Sequence, residues 1–560
     1  MIPTNVSSSA NRLLLSLVAW VLGTSFSPLG HSLGTGKHQL WASCVSSVNF
    51  MSSNHEVRST RVMSSTGEGI SSHVSSSESS AVSNVLDAVA GKQLLINTPR
   101  DEFGAVFTAD ARTMYFTADA GGQQRIMQCA YSNGTTSVPQ EVVLFAGARV
   151  RNVGMPSVSG DGQYMVFAAL LTDLSGYGRT DLYSARRVRG VWTDIRNLGA
   201  TVNSSGWDSH PSISADGKRL YFSSDREGGA GGTDIYCCLR TGTTWSKAEP
   251  VLGLNTGANE MAPFISPDLR ELYFTSDREG GLGGFDLYSS IRSADSVRDV
   301  ALLPLPFNST GNEHGICVSA CGDVVAVSSD RVGSIGESDV FLFSPSGLHT
   351  APMMVISGEI TRTDTSDRVV SWLTVHSLDD AQIETDVRVD DMTGRYTAVV
   401  SPGHVYALTS WETDAVVQTR IVRFEESDKG KIRFTGLTQM PCTEGSRIVL
   451  PAEFNDESVV MSALTHIELR RMSEIVLAHP EYRLVLQSET FGRSGLGLDS
   501  VAVSRKSKAL KSYLNLRGLP LGSIIIRHTV QKSPESGAFS VSRVQEELVM
   551  LLTKEKPGNE

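Results

Sequence analysis

The strongest constraint on the fold is a 24-residue segment that occurs twice in nearly the same letters. It reads ISADGKRLYFSSDREGGAGGTDIY at Ile213–Tyr236 and ISPDLRELYFTSDREGGLGGFDLY at Ile265–Tyr288. Looser copies begin near Phe107, Val158 and Val318. The first turn residue of each copy marks a period of 51 to 55 residues, and these markers are Asp110, Asp161, Asp216, Asp268 and Cys321. A strand-rich period of this length is typical of the blades of a β-propeller.

Each copy predicts the same order of strands and turns. In the third copy Asp216 can bond to its own backbone and Gly217 can accept a positive φ, which together make a turn. Arg219–Ser223 is then a half-buried strand, because it is rich in aromatic and apolar side chains. A glycine-rich hairpin leads to a third strand starting at Asp234, and Pro250–Asn255 is expected as the outermost strand. One such sheet cannot bury both of its faces, so we expect the copies to stack around an axis.

The propeller is expected to occupy residues 91–350 and to be closed by its own N-terminus. Leu94–Asn97 has the pattern of the outer strand that follows other copies, whereas the fifth copy, ending near Ser346, has no such strand. We therefore expect the N-terminal strand to complete the last blade. Five blades are visible in the sequence, and a sixth, degenerate blade is the alternative.

The segment before the propeller has the composition of a targeting and linker region. In residues 1–32 an eleven-residue apolar run, Leu13–Gly23, is too short to span a bilayer but suits the core of a signal peptide. Residues 33–90 are polar and rich in serine, which predicts a disordered linker. Lipidation at Cys44 is an open alternative. The formal net charge of −11 argues against nucleic acid as a partner.

Two further domains are expected after the propeller, so the fold class is multidomain. Residues 351–425 alternate apolar and polar side chains between turn signals, which predicts a small β-sandwich. Residues 440–553 predict an α+β domain. Its first helix begins after Ser462 and closes near His479, and its second runs from about Asp499 to a C-cap at Gly518.

The seven cysteines and the repeated carboxylates are residue types that can bind metals. Cys317 and Cys321 have the spacing of half a metal site, but no second ligand pair accompanies them, so buried thiols are the simpler interpretation. The Asp-Arg pairs occur once per copy in three copies, which favours a structural turn over a catalytic or metal-binding role. A calcium ion held by Asp225 with Asp234, or by Asp277 with Asp286, is the alternative. We predict no metal site, no cofactor and no catalytic residue.

Three resemblances to known families rest on these patterns. The repeats, with their SDREGG-x-GG-x-D signature, resemble the TolB-type, WD40-like propeller repeats of bacterial envelope proteins. The sandwich resembles carboxypeptidase-regulatory-like modules. Residues from about Ile448 to Leu552 resemble the OmpA-like peptidoglycan-associated domain in the order and length of their elements. This order of domains is similar to outer-membrane, peptidoglycan-associated proteins that accompany type IX secretion.

The OmpA-like resemblance implies a peptidoglycan site with altered ligands. In that family an Asp and an Arg grip the diaminopimelate of the peptide stem. Here Thr490 or Phe491 stands at the place of the Asp, depending on where a one-residue gap is put, and Lys506 stands at that of the Arg. Asp499 stands at the place of the family's Asn, at the start of the same helix. Glu489, expected on the opposite loop, could restore the acidic charge, and Arg505 beside Lys506 is either a ligand or part of a solvated face. Lysine keeps the charge of arginine but lacks its two-pronged geometry.

The expected function is a non-catalytic scaffold of the cell envelope, located in the periplasm and associated with the outer membrane. Its propeller would bind a protein of the envelope or of a secretion system, and its OmpA-like domain would associate with peptidoglycan. One alternative is an interaction module whose OmpA-like domain has lost peptidoglycan binding. The other is a propeller hydrolase, for which no residue breaks the repeat as a unique nucleophile would.

Overall fold

The computed structural model describes residues 91–145, 150–171, 176–293, 296–363, 370–390, 392–445, 447–451, 461–492, 500–532 and 546–554, which all belong to one compact unit. The expected signal peptide, the serine-rich linker and Cys44 lie outside these residues. Within them, no helix is both long enough and apolar enough to cross a membrane.

Five antiparallel sheets form the first part of the described chain, preceded by the short strand β1 (Lys92–Gln93). The first sheet consists of β2 (Glu102–Phe107), β3 (Thr113–Asp119), β4 (Gln124–Ser132), β5 (Thr135–Thr136) and β6 (Gln140–Glu141). The second consists of β7 (Val150–Val158), β8 (Tyr164–Leu171), β9 (Asp181–Val188) and β10 (Val191–Asn197). The third consists of β11 (Asp208–Ile213), β12 (Arg219–Ser224), β13 (Asp234–Thr241), β14 (Thr244–Trp245) and β15 (Glu249–Pro250). The fourth consists of β16 (Glu260–Ile265), β17 (Glu271–Ser276), β18 (Asp286–Ser293) and β19 (Ser296–Leu302). The fifth contains β20 (Glu313–Val318), β21 (Val325–Ser329) and β22 (Asp339–Phe343).

The first strands of these sheets form a closed ring. Strand β2 contacts β7, β7 contacts β11, β11 contacts β16, β16 contacts β20, and β20 contacts β2 again. Within each sheet the first three strands follow in chain order from the ring outward, and β1 is the outermost strand of the fifth sheet. Sheets that radiate from a closed ring of first strands define a β-propeller. The propeller fold predicted from the repeat is therefore confirmed.

The predicted turn and strand of the third copy are also confirmed. Asp216 accepts the hydroxyl hydrogen of Ser214 and, at 3.0 Å, the backbone N–H of Lys218, while Gly217 has a φ of +67°. On β12, Phe222 packs toward the second sheet and Tyr221 toward the fourth. Both faces of the sheet are thus buried by its neighbours, as stacking around an axis requires.

The outermost segment of the third sheet differs from the predicted strand Pro250–Asn255. Of the predicted strand only Pro250, the last residue of β15, pairs with β13, because Gly253 at a φ of +82° turns the chain away from the ladder. Beyond it the side chain of Asn255 replaces the ladder, accepting the Ile235 N–H at 2.9 Å and donating to the Ile235 carbonyl at 3.0 Å.

The N-terminal segment completes the fifth sheet, as predicted, but the ladder lies two residues earlier than expected. Strand β1 pairs with β22, and Leu94 and Ile96 are 5% and 2% exposed in the adjoining core. Asn97 then exchanges two hydrogen bonds with the backbone of Val340, at 2.9 and 3.1 Å, as Asn255 does with Ile235. The N-terminus therefore supplies the outer segment that the fifth copy lacks.

Two packed sheets follow the propeller and form a β-sandwich. The first contains β23 (Met354–Arg362), β26 (Arg395–Val400), β28 (Ala415–Val417), β30 (Ile432–Phe434) and β31 (Leu437–Pro441). The second contains β24 (Trp372–Ser377), β25 (Glu384–Arg388), β27 (Val405–Thr409) and β29 (Arg420–Arg423). A 3₁₀ turn spans Glu426–Asp428. The sandwich extends past the predicted end at residue 425, because β30 and β31 return to pair in parallel with β23.

The last part of the described chain is the α+β domain. Its elements are β32 (Arg447–Pro451), α1 (Ala463–Ala478), β33 (Arg483–Gly492), α2 (Ser500–Leu516), a 3₁₀ turn (Leu521–Ser523), β34 (Ile524–Lys532) and β35 (Glu546–Thr553). The strands form one mixed sheet in the order β32-β35-β33-β34. The predicted helix ends hold, since Ser462 accepts the Thr465 N–H at the start of α1 and Gly518 has a φ of +95° after α2.

Helix α1 also fastens this domain to the sandwich. Arg471 and Glu468 form an ion pair in which both side chains are buried, and Arg471 donates to the Val417 carbonyl at 2.5 Å. The Thr419 hydroxyl of the sandwich donates to Glu468. Val416 joins the core of the α+β domain. The domain is consequently held in place by buried charges as well as by apolar contact.

Candidate functional site

The arginine of each Asp-Arg pair points into the propeller. Arg226 donates to the buried Asp208 at 2.7 Å, and its guanidinium carbon lies 4.5 Å from the centre of the Tyr236 ring. Equivalent pairs join Arg278 to Glu260 at 3.0 Å and Arg331 to Glu313 at 3.2 Å, also over aromatic rings. These pairs are buried and repeat from blade to blade. They stabilise the blades, in agreement with the structural role predicted for them.

The aspartates considered as calcium ligands shape the glycine-rich loops. Asp225 accepts the Trp207 N–H at 2.6 Å and pairs with Arg179. Asp234 accepts the N–H groups of Ala230 and Gly231 at 2.8 and 3.3 Å, and its buried environment raises its pKa. In the described part of the chain no three His, Cys, Asp or Glu side chains are grouped as a metal site would need.

The same loops present other side chains to solvent. At the position of Ala230, the neighbouring copies carry Tyr177, Leu282 and Ile335, which are 53%, 48% and 52% exposed. Exposed carboxylates accompany them on the same loops, at Glu227, Glu279 and Glu337. We call these six residues, together with the exposed Ala230, the glycine-loop surface. The loop arginines Arg226, Arg278 and Arg331 are turned inward, so the seven residues are apolar or acidic. The exposed Arg179 lies beside them and is paired with Asp225.

The opposite end of the propeller, formed by the turns with the marker aspartates, is covered by the sandwich. Asp161 accepts the backbone N–H of Arg388 at 3.1 Å, and Asp268 accepts the backbone N–H of Ala351 at 3.3 Å. Cys321 packs in a small apolar cluster with Val355 of the sandwich. The glycine-loop surface is therefore at the opposite end of the propeller from these contacts with the sandwich.

A histidine lies at the propeller axis. Bulges in the first strands place Gly104, Met155, His210, Ala262 and Gly315 at equivalent positions, and a Cβ added to Gly104 would lie 2.8 Å from the sulfur of Met155. Burial and the nearby His314 lower the pKa of His210 to about 4. Its ring packs edge-on against Trp207, with centres 5.1 Å apart. His210 is thus neutral at pH 7. The sequence pattern gave no signal for it, because other copies carry small or apolar residues there.

The predicted buried thiols are confirmed. Cys317, Cys321 and Cys238 are buried, and burial raises the pKa of each thiol to about 12. A thiol with so high a pKa is a poor nucleophile and a poor metal ligand at neutral pH.

The predicted peptidoglycan residues fall on two elements of the α+β domain. Arg505 and Lys506 are neighbours on α2, where Arg505 is exposed and makes no hydrogen bond or ion pair with any other residue the structure describes. The position of the Lys506 side chain and the whole of Asp499 lie outside the described residues. Exposure of Arg505 agrees with the solvated-face interpretation.

The expected loop position of Glu489 is wrong. Glu489 and Thr490 both lie within β33, where Glu489 is opposite Thr529 of β34 and Glu547 of β35. Strand β33 has a partner strand on each side as far as Thr490, and its ladder with β34 continues to Gly492. The side chains of Glu489 and Thr490 lie outside the described residues.

No family model matches this chain, and no curated protein matches it. Similar solved structures include TolB from Acinetobacter baumannii, with 17% identity and a TM-score of 0.29, over 43% of this chain and 54% of that one. They also include a GH43_1 enzyme from Xanthomonas citri, with 12% identity and a TM-score of 0.34, over 46% and 92%. A gluconolactonase from Xanthomonas campestris matches at 16% identity and a TM-score of 0.28, over 48% and 84%. The chain thus spans about half the length of the Acinetobacter TolB structure.

These comparisons correct one expectation. The sequence predicts that the protein is not an enzyme, yet the similar structures include a GH43_1 enzyme and a gluconolactonase. The prediction that the protein is not an enzyme is therefore withdrawn. At such low identity and TM-score, the same structures assign neither an activity nor a partner to this chain.

Proposed function

We propose that the protein is a scaffold of the cell envelope, located in the periplasm at the outer membrane. Its propeller binds a protein of the envelope or of a secretion system such as type IX, and its C-terminal domain associates with peptidoglycan. The observation that supports this best is the order of domains in one chain: a propeller, a β-sandwich and an α+β domain. That order is the one the family resemblance implies.

The finer assignments follow the same resemblance. The five sheets are proposed as the five blades of a TolB-type propeller, since their first strands together form a closed ring. The sandwich is proposed as a carboxypeptidase-regulatory-like module. The last domain is proposed as OmpA-like, because its elements follow the predicted order of strand, helix, strand, helix and two strands.

The glycine-loop surface is the proposed site for the protein partner. It combines exposed apolar side chains with three carboxylates, and it lies at the end of the propeller away from the sandwich. Clusters of exposed apolar side chains with a polar rim mark interaction sites. A partner with apolar side chains in a basic surrounding would complement it.

A second candidate is an interaction module that no longer binds peptidoglycan. It is favoured by Thr490 and Lys506, which stand where the resemblance expects an Asp and an Arg. A lysine contributes a point charge, so any remaining contact to a carboxylate is weaker and more sensitive to salt.

Sedimentation with purified peptidoglycan sacculi distinguishes the two candidates. The chain from residue 33 onward should be used, because a fragment starting at residue 440 would lose the contact of Arg471 with Val417. We expect measurable binding that weakens with salt, strengthens in Lys506→Arg and is mostly lost in Lys506→Ala. Lys511→Ala, an exposed lysine of the same helix, is the matched control and should bind like the wild type.

Three results would change the proposal. No sedimentation of the wild type would favour the interaction module. Binding indifferent to Lys506→Ala would place the peptidoglycan site elsewhere. Turnover of a glycoside or lactone substrate by the same preparation, abolished by a propeller substitution, would make the protein an enzyme.

A further inference from the structure

A cleft of about 490 Å³ lies between the propeller and the sandwich. One wall is made by the aspartate turns of the second, third and fourth sheets, and the other by β24, β25 and β26. The hydrogen bond from the Arg388 N–H to Asp161 joins the two walls. The volume of the cleft lies in the range of small-molecule sites, which often occur where two domains meet.

The carboxylates of the cleft are already engaged by the protein. Asp161 accepts the Ser159 hydroxyl, the Gln163 N–H and the Arg388 N–H. Asp216 and Asp268 accept a serine hydroxyl and a backbone N–H in the same turn. On the sandwich side, Asp386 accepts the Thr374 hydroxyl at 2.9 Å. The three turn aspartates shape the turns and have little capacity left for a ligand.

The cationic side chains of the third blade, Arg240 and Lys218, have fewer partners than these carboxylates. Arg240 lines the cleft with its guanidinium carbon 4.5 Å from the centre of the Tyr164 ring, and its Nε is buried without an acceptor among the described residues. Lys218 is adjacent, since its backbone carbonyl accepts the backbone N–H of Arg240 at 2.8 Å. Its exposed ammonium group has no ion pair with any residue that the structure describes.

The repeat provides an internal comparison for Arg240. Arginines occupy the same position of the third strand in the second and fourth blades, at Arg187 and Arg292. Their Nε–H groups donate to backbone carbonyls, of Gly190 at 3.5 Å and of Leu269 at 2.6 Å. Of these three arginines, Arg240 alone leaves its buried Nε–H without an acceptor, and it lines the cleft.

A second buried polar atom of the cleft also lacks a hydrogen-bond partner among the described residues. Gln163 is 6% exposed, and its side-chain oxygen is buried without a donor among the described residues. A buried donor or acceptor that stays unsatisfied is unfavourable by about 1–3 kcal/mol. A cleft that holds one unused donor and one unused acceptor is thus arranged for a ligand that supplies both.

We propose that this cleft binds a carboxylate ligand that also carries a hydrogen-bond donor. The carboxylate accepts from the Nε–H of Arg240 and is attracted by Lys218, while an N–H or O–H of the ligand donates to Gln163. A peptide C-terminus and an acidic sugar both have this chemistry. The site is independent of the glycine-loop surface and of the α+β domain.

Calorimetric titration of the chain from residue 33 tests the proposal with matched probes. The peptide arm uses N-acetyl-alanyl-alanine and its C-terminal amide, and the sugar arm uses digalacturonic acid and its methyl ester. We expect at least one free acid to bind about tenfold more tightly than its uncharged counterpart, because a charge-assisted hydrogen bond is lost in the latter. The arm that binds identifies the source of the ligand.

Substitutions locate the binding within the cleft. Arg240→Gln should weaken it about tenfold, Gln163→Leu should weaken it several-fold, and the control Arg187→Gln should leave it within twofold. Circular dichroism and the melting temperature verify that each variant is folded. Failure of both acids to bind, equal binding of acid and uncharged probe, or unchanged binding in a folded Arg240→Gln variant would overturn the proposal.

Discussion

The two ends of the propeller are built from the same repeat but have different surroundings. At the end with the marker aspartates, Asp161 and Asp268 use one carboxylate oxygen to hold their own turn and the other to accept an N–H of the sandwich. At the glycine-loop end, Glu227 and Glu279 are exposed and carry no such contact with the described residues. The carboxylates at the covered end therefore help to hold the sandwich on the propeller. The exposed carboxylates at the glycine-loop end are free to contact a partner.

This comparison separates substitutions by their expected effect. Changes inside the ring or at the covered end should lower stability, because they leave buried groups without partners. Changes on the glycine-loop surface should leave stability unaltered and affect only binding.

Deletion of residues 91–97 should destabilise the propeller most. It removes the buried side chains of Leu94 and Ile96, each contributing about 1.5–3 kcal/mol, together with the hydrogen bonds of Asn97 to Val340. Denaturant unfolding should show a loss of several kcal/mol. An unchanged unfolding curve would mean that the ring closes without this segment.

Arg331→Ala should be nearly as damaging, with a loss of about 3–5 kcal/mol. Glu313 would keep a buried charge without its partner, which is the costly way to break such a pair. The control is Arg298→Ala, because its pair with Asp299 is on the surface and contributes about 0–1 kcal/mol. Equal effects of the two substitutions would show that the inward arginines do not stabilise the blades.

Acidification should weaken the propeller through His210 at its axis. The pKa of this histidine is about 4 in the folded chain and close to 6.5 when unfolded, so the unfolded chain binds an extra proton between these values. Stability should therefore fall as the pH drops from 6.5 to 4, by up to about 3 kcal/mol. His210→Gln should remove this part of the pH dependence. A variant that follows the wild-type curve at every pH would rule out His210 as its source.

Asp268→Ala should cost about 1 kcal/mol more than Asp216→Ala. Both aspartates hold their own turn, but only Asp268 accepts the Ala351 N–H at the start of the sandwich. Thermal unfolding and limited proteolysis between residues 345 and 353 measure the difference. Identical behaviour of the two variants would show that this contact does not fix the sandwich to the propeller.

Leu282→Ser with Ile335→Ser should change stability by less than about 0.5 kcal/mol, the usual range for exposed sites. Their backbone N–H groups, which Asp286 and Asp339 accept, are unaffected by the substitution. A large loss of stability, measured by denaturant unfolding, would mean that these side chains serve the fold and not a partner.

The propeller was the part most accessible from the sequence, because its blades repeat. Repetition reveals a turn such as Asp216-Gly217 and an inward Arg226 even where a single copy would be ambiguous. It also revealed the spare strand at the N-terminus. The two-residue shift of that strand was not predictable, because Asn97 holds Val340 through its side chain and the ladder stops at Gln93.

The contacts between domains could not be predicted from the sequence. The bond between Arg388 and Asp161 joins residues far apart in the chain, and neither residue type signals it. The same holds for Arg471, which looks like one more charged residue of an amphipathic helix but is buried against Val417. The loop position predicted for Glu489 is wrong for a related reason. Glu489 is in a strand because β34 and β35 flank it, and strand partners are a property of the whole sheet.

Site-specific photocrosslinking tests most directly whether the propeller binds a partner through its uncovered end. A photoreactive amino acid at position 282, on the glycine-loop surface, is compared with one at position 432, where Ile432 is also exposed but lies on the sandwich. In the cells that produce the protein, we expect position 282 to give a discrete protein adduct and position 432 to give none. Adducts of equal yield from both positions, or none from position 282, would contradict the account.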